Sequence, residues 1–489
     1  MTTPTSELAY LGAVQALGLF RSRELSPVEL LEAQIERTTQ VNPVVNALTE
    51  TLFDEARQRA AQAEARYRRG GDLPPLLGLP VATKEKHAIA GRTLSQGLLA
   101  CRDDVASEDH PVISALRSSG AVVHARTTSP EFSCATVTHS PLWGVTRNPW
   151  NPRYSPGGSS GGAAAALAAG MTTLATASDI AGSTRIPAAF TGTVGFKAPY
   201  GRLPGQPPLS ADHYRGDGPM GRSVADVALL TNALAGRHPA DHTSLWPTST
   251  VTAGPADPRR LRVALCVRLG DYPVDAEVEE GTRAVARALE SAGAVVDEIE
   301  LPWTSRRITE IGFTHFGHLL GPAMAAATAD HEHLATYTRR FIEDALAAAG
   351  RSTFLEGLTA ETQVQGQLAV AMESFDVLVC PTSTTPALEA AGDYPDGISV
   401  GGQHLEHYWQ SHLTLPFNIA NRCPVLAVPS GLSASGVPVG VQIVGHPYED
   451  QTVFAVGSLV EKLRPWASRY ASVDAALAGW GPEHPDDGP

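Results

Sequence analysis

The chain has 489 residues, a formal net charge of −14 at pH 7, 43% hydrophobic residues and 18% charged ones. This is the composition of a folded globular protein with a sizeable core, and an acidic balance with no long basic cluster argues against nucleic acid or an anionic membrane as partner. Five scattered cysteines, Cys101, Cys134, Cys266, Cys380 and Cys423, form no C-x-x-C pair, which speaks against a zinc site and suits a reduced cytoplasmic setting.

From the N-terminus, Met1 to Pro4 show no basic region followed by an apolar core, so no signal peptide is expected, and no apolar run is long enough to span a bilayer. Residues 1–75 read as an N-terminal helical segment. Ser26-Pro27-Val28-Glu29 is a capping box with proline at the first helical position, and Leu52 to Arg69 is a second, alanine-rich helix with a solvated charged end. Leu79 to Thr83 then reads as an apolar strand that ends on Lys84. A lone lysine is ordinarily a surface charge, but this one has an apolar approach, and Lys86 would share its face if the strand continued. Val112 to Leu116 reads as helix and Ala121 to Ala125 as strand. Cys134 and His139 fit packing better than catalysis.

The stretch Gly157 to Pro187 is the most constrained in the chain. Gly157-Gly158-Ser159-Ser160-Gly161-Gly162 and Ala181-Gly182-Ser183 bracket an alanine helix, Ala163 to Ala169, and a short strand, Thr172 to Ala177. Glycine lets backbone N–H groups turn inward beside a serine, which is oxyanion chemistry in outline. A phosphate loop would need a lysine after the glycines, and none follows. Gly157-x-Ser159-x-Gly161 also fits a nucleophile elbow. The three prolines between Asn148 and Pro156, however, exclude the central strand an elbow requires.

This stretch resembles the signature of the amidase signature family, serine hydrolases with a Ser–cis-Ser–Lys triad. Ser159 and Ser183 stand at the separation the family pattern has, and Lys84 falls on the strand-end lysine of its G-x-P block. The resemblance implies an α/β amidase signature fold, a large twisted mixed β-sheet sandwiched between helical layers, in a single domain over 1–489. It implies Ser183 as nucleophile, Ser159 as proton relay with a cis bond to Gly158, and Lys84 as general base. The backbone N–H groups of Ile180, Ala181, Gly182 and Ser183 would form the oxyanion hole, supported by Ser160, Asp179 and Arg185. An exposed lysine has a pKa of ~10.4, so the base role requires burial and a neighbouring cation such as Lys86 to depress it. Four positions depart from the pattern: Glu85 replaces the commonest Asp, Ala198-Pro199 replaces Pro-Thr, and Ala181 replaces a glycine, where a β-carbon could narrow the oxyanion pocket.

Downstream, residues 78–232 complete a signature core in which Ser223 caps a helix through Leu234. A Pro-, Ser- and Thr-rich connection spans 238–260. The region 260–375 carries strands at Leu261 to Leu265 and Val295 to Ile299, a helix from Val278 to Ala292 and a helical run over 306–376, and is expected to form part of the pocket. There Phe313, His315, Phe316 and Phe341 fit either pocket or core, and core is the better fit. The segment 376–462 returns to family motifs, with Asp376 to Thr382, Pro416 to Ala420, Pro424 to Pro429 and Val437 to Gly445 as core strands before a helix to Lys462. His404, His407 and His412 lack an acidic companion set, so the insert 390–412 reads as a pocket rim with loop-surface histidines, and no metal or cofactor is expected.

The activity implied is hydrolysis of a small-molecule amide to acid and amine, and a homodimer is compatible with it. A second reading is the transamidating subunit of an aminoacyl-tRNA amidotransferase. Against it, Ile180, Ala181 and Ile186 depart from that subfamily's usual residues.

Overall fold

In the computed structural model, eleven strands join into one mixed sheet that draws on both ends of the chain. Residues 5–246, 250–329, 331 and 333–480 are described. The leader reading at Met1 to Pro4, three residues of the 238–260 connection and two of the 306–376 run lie outside them. In chain order the strands are β1 (Leu48–Thr51), β2 (Pro80–Lys84), β3 (Val122–Thr127), β4 (Leu174–Asp179), β5 (Val194–Lys197), β6 (Gly216–Gly221), β7 (Arg262–Leu265), β8 (Val295–Glu298), β9 (Val377–Pro381), β10 (Val425–Leu432) and β11 (Pro438–Gly445). They lie in the order β1-β3-β2-β4-β6-β5-β10-β11-β9-β7-β8.

Strand β2 runs parallel to both β3 and β4, so the ends of β2 and β4 that carry Lys84 and Asp179 emerge at one edge of the sheet. Every residue of β2 and β4 is buried, as expected for parallel strands covered on both faces. Their small side chains let the helix Gly161–Ala168 come close. Ala163, Ala164 and Leu167 of that helix share one apolar cluster with Ala175, Ala177 and Ala188. Strand β6 then pairs antiparallel with β4 and β5, and the β10–β11 pair carries the sheet across to β9.

Two large apolar clusters hold the helices on. One contains Phe20, Leu30, Leu116, Leu230 and Phe454 from the helices Ala13–Ser22, Pro27–Val45, Pro111–Ser118, Val224–Leu234 and Asp450–Leu463. The other contains Phe316, Phe341 and Leu368 from the helices Ser305–Leu319, Thr336–Ala349 and Phe354–Met372. Each such side chain contributes ~1.5–3 kcal/mol when fully buried. Helix starts follow their sequence signals: Ser26 with Glu29 and Thr353 with Glu356 form reciprocal capping boxes, and Ser223 accepts from the Asp226 N–H.

Two expectations fail here for local reasons. Pro416–Ile419 is a short helix and not a core strand, because Pro416 has no N–H for a ladder and its fixed φ suits a first helical position. In the 390–412 insert only His404 is exposed. His407 is half-buried, 3.2 Å from Asp344, and His412 is buried against Thr136, because the helices Ser305–Leu319 and Thr336–Ala349 pack over the insert.

Candidate active site

The end of β2 delivers Lys84 into a fully buried position where its Nζ lies 2.8 Å from Ser159 Oγ, 2.9 Å from Ser160 Oγ and 3.2 Å from Ser178 Oγ. Ser178 on β4 had no signal in the motif that would single it out. The lysine backbone N–H donates to Thr176 Oγ1 at 3.2 Å, which ties the two strands together beside the amine. Burial, and next the Lys86 cation, hold the Lys84 amine well below the ordinary lysine range, while Asp217 and Asp179 pull the other way. Glu85 faces away from this cluster and accepts from the Ser95 and Gln96 N–H groups.

Ser159 follows a cis peptide bond from Gly158. Only glycine fits at 158, since a β-carbon would stand 2.5 Å from the Ala135 carbonyl oxygen and 2.6 Å from that of Val137. The next residue, Ser160, donates its N–H to the Ser183 carbonyl at 3.1 Å and so links the two serine turns. Ser183 Oγ makes no hydrogen bond among the described residues, and its side chain opens into the same cavity as Ser159.

The turn that carries Ser183 is held by Asp179 and Arg185, both buried. Asp179 accepts from the Gly182 N–H at 2.7 Å, the Thr184 N–H at 3.2 Å, Arg185 at 2.9 and 3.0 Å and Asn418 Nδ2 at 3.0 Å. Burial opposes its charge, but Arg185, Asn418 and Lys197 outweigh burial and keep the carboxyl ionised well below the usual range. Arg185 also donates to Thr414 O, Gln442 Oε1 and Asn418 Oδ1 at 3.0, 2.8 and 2.7 Å. Gly182 has φ of +121°, and a β-carbon there would stand 2.1 Å from Thr414 Oγ1. Thr414, Asn418 and Gln442 are functional neighbours that local sequence patterns do not reveal.

This bracing alters the expected oxyanion hole. The Gly182 N–H is committed to Asp179, whereas those of Ile180, Ala181 and Ser183 have no partner among the described residues. The Ala181 methyl sits in the apolar cluster with Ile186 and Phe190 and forms no part of the cavity wall, so it does not narrow the pocket.

The cavity is narrow, with a volume of about 30 Å3. Ser159, Ser178, Ile180 and Ser183 form its floor, Lys86 and Arg215 one side, and Phe132, Ser133, Cys134, Phe316, Leu320, Met324, Phe341 and Trp409 the rest. Phe316 and Phe341 are thus both pocket wall and core, where core had been the better fit of the two. Phe313 and His315 stay in the core. The Cys134 thiol is pushed up to about 12 by burial, which leaves it a neutral wall group. His139 pairs with Asp393 at 3.0 Å, off the cavity.

Behind Lys84 lies a network with no motif of its own. Asp217 accepts from His87 Nε2 at 2.9 Å and faces His110 Nε2 at 3.5 Å, while His87 Nδ1 meets Thr176 Oγ1 and His110 Nδ1 caps the Val112 N–H. Burial lowers both histidines, His110 to about 3. This trio and His213, His315 and Glu361 have the spacing of metal ligands. In the first group three of the four imidazole nitrogens are already in hydrogen bonds.

Residues 29–454 match the amidase family. An acylamidase of Rhodococcus erythropolis is 33% identical over 94% of this chain and 97% of its own length. A glutamyl-tRNA(Gln) amidotransferase subunit of Thermosynechococcus vestitus is 30% identical over 91% and 96%. Among solved structures, a bacterial aryl acylamidase of the amidase signature family superposes with a TM-score of 0.88 at 28% identity, over 97% of this chain and 100% of that one. No helix among the described residues is long and apolar enough to cross a membrane.

Proposed function

The chain belongs to the amidase signature family and is an amide C–N hydrolase, and we propose that it works through a seryl acyl-enzyme built on Ser183, Ser159 and Lys84. The observation that carries this reading is the buried Lys84 amine within 3.2 Å of three serine hydroxyls, two of which, Ser159 and Ser178, line the same cavity as Ser183. Burial and the neighbouring Lys86 cation favour the neutral form of that amine, which has a lone pair to offer.

Lys84 accepts the Ser159 proton as Ser159 accepts that of Ser183, and Ser183 Oγ attacks the amide carbonyl carbon. The oxyanion accepts from the N–H groups of Ile180, Ala181 and Ser183. The proton returns through Ser159 to the amine nitrogen as the C–N bond breaks. Water then repeats the attack on the ester, releasing the acid and restoring Ser183. Ser160 fixes the lysine, and Asp179 and Arg185 fix the turn. The aromatic walls Phe316, Phe341 and Trp409 suit an apolar or aryl acyl group. The whole chain acts as one catalytic domain without a cofactor, and its five free cysteines suit the reducing cytoplasm.

Intact-protein mass after treatment with a neutral fluorophosphonate tests the triad. One adduct is expected on the wild type, none on Ser183→Ala, and on Lys84→Ala an adduct forming at least about a hundredfold more slowly. An adduct on Ser183→Ala, or none on folded wild type, overturns the assignment. The amidotransferase relatives supply the second reading, that of a transamidating component. Co-purification of partner chains with the tagged protein would favour it.

A further inference from the structure

Two cations border the catalytic cavity without a hydrogen-bonding partner among the described residues. Lys86 and Arg215 line both the chamber that holds Ser183 and a wider vestibule outside it of about 390 Å3. Arg215 Nε forms an ion pair with Asp212 Oδ2 at 3.8 Å, beyond hydrogen-bond reach, and neither of these buried atoms has a hydrogen-bond partner. The nearby carboxylates are already engaged: Asp212 accepts from His315 at 2.8 Å, and Asp217 is held by His87 and faces His110. The surrounding wall is largely apolar, with Phe132, Leu320 and Met324 shared by both chambers. An ammonium and a guanidinium that border such a wall without a hydrogen-bond acceptor of their own gain from an anion that supplies one.

We propose that Lys86 and Arg215 form a subsite for a carboxylate on the leaving amine, so that the preferred substrates are amides of amines that carry a carboxylate. This rests on the Ser183 amidase reading. The amine side is indicated by the direction of the chemistry. Lys84 and Ser159 must hand a proton to the departing nitrogen, and Lys86 lies beside that relay, close enough to depress Lys84. The vestibule reaches solvent at the exposed Leu209 and Leu319, and the amine has to leave while the acyl group stays on Ser183. A guanidinium offers a carboxylate a planar two-point contact, and the ammonium adds a point charge. Lys86 itself is lowered to about 8 by burial and then by Arg215, and a bound carboxylate would hold it protonated.

The test compares kcat/KM for the benzoyl amides of 4-nitroaniline and of 5-amino-2-nitrobenzoic acid, the second adding a carboxylate to the same chromophore. The wild type should favour the carboxylated amine by about tenfold or more, and the ratio should fall towards one in Arg215→Gln and in Lys86→Gln. Because it is a ratio, it cancels any change in Lys84 that both substrates feel. Arg215→Lys should retain part of the preference. A wild-type ratio of one or less, a ratio unchanged in both variants, or a preference for glutaryl 4-nitroanilide, with the carboxylate on the acyl side, overturns the subsite. Fluorophosphonate labelling of Ser183 in every variant separates the failures. Loss of wild-type labelling overturns the amidase reading, whereas labelling without carboxylate preference overturns the subsite alone. If neither anilide turns over, protection of Ser183 from labelling decides. The free 5-amino-2-nitrobenzoate should protect the wild type at about tenfold lower concentration than 4-nitroaniline and lose that advantage in both variants, and equal protection of the wild type overturns the proposal.

Discussion

At the scale of single residues, the site turns on one amine whose proton has been made easy to lose. Lys84 is a competent base only above its depressed pKa, so the rate of Ser183 labelling by a neutral fluorophosphonate should rise with pH through that value and then level off. Lys86 contributes to the depression as a like charge. Lys86→Met should therefore raise the Lys84 pKa and move the acid limb to higher pH, by up to about one unit. Because Lys86 loses its own charge near pH 8, the two profiles should converge above that point. A limb that stays put or moves to lower pH contradicts the coupling. Lys84, Ser159 and Ser183 stand out in the sequence as candidates because each sits in a short motif whose glycines and apolar approach are themselves physical requirements. The fate of the Gly182 N–H does not, because it depends on which way the Asp179 carboxylate turns, and no spacing encodes that.

At the scale of elements, the nucleophile turn is a short loop held from a distance. Its braces, Thr414, Asn418 and Gln442, come from the segment around the helix Pro416–Ile419 and from β11. Asn418 matters most, since it donates to Asp179 and to the Tyr214 carbonyl and accepts from Arg185. Asn418→Ala leaves buried charged partners short of a hydrogen bond, a cost of about 1–3 kcal/mol. We expect a lower Tm together with a labelling rate at Ser183 reduced about tenfold or more. A stability loss with an unchanged labelling rate would show that the brace does not set the turn. Reading 416–420 as a strand missed this element because four residues carry no periodicity, and the proline that starts the helix reads equally well as the end of a strand. The bracing partners stand more than two hundred positions from the turn they hold, a separation at which only the folded chain reveals contact.

At the scale of the whole molecule, the strands and most helices were legible because their caps, alternation and apolar runs are local. The cavity was not, because it forms where the segments 132–134 and 316–324, Phe341 and Trp409 converge. Phe316 and Phe341 look like core in sequence and are core on one side, and their second role appears only when the facing wall is in place. The same long-range packing leaves a pH signature. Glu461 accepts from the Val224 N–H at 3.1 Å, and burial raises its carboxyl to about 7. The folded state thus holds a proton that the unfolded chain, near 4.5, has already released. This group's contribution to stability falls as pH rises from about 4.5 to 7. Glu461→Gln keeps the acceptor and removes the charge, so its Tm should exceed that of wild type at about pH 8 and match it near pH 4.5. A lower Tm for the variant at the alkaline end would mean that the charged form is favourable in place. Finally, because the turn bearing Ser183 is completed by Thr414, Asn418 and Gln442, a nascent chain carries both serines and Lys84 long before Arg185 finds its acceptors. The turn as the fold holds it is complete only when the C-terminal segments that carry Thr414, Asn418 and Gln442 are docked against it.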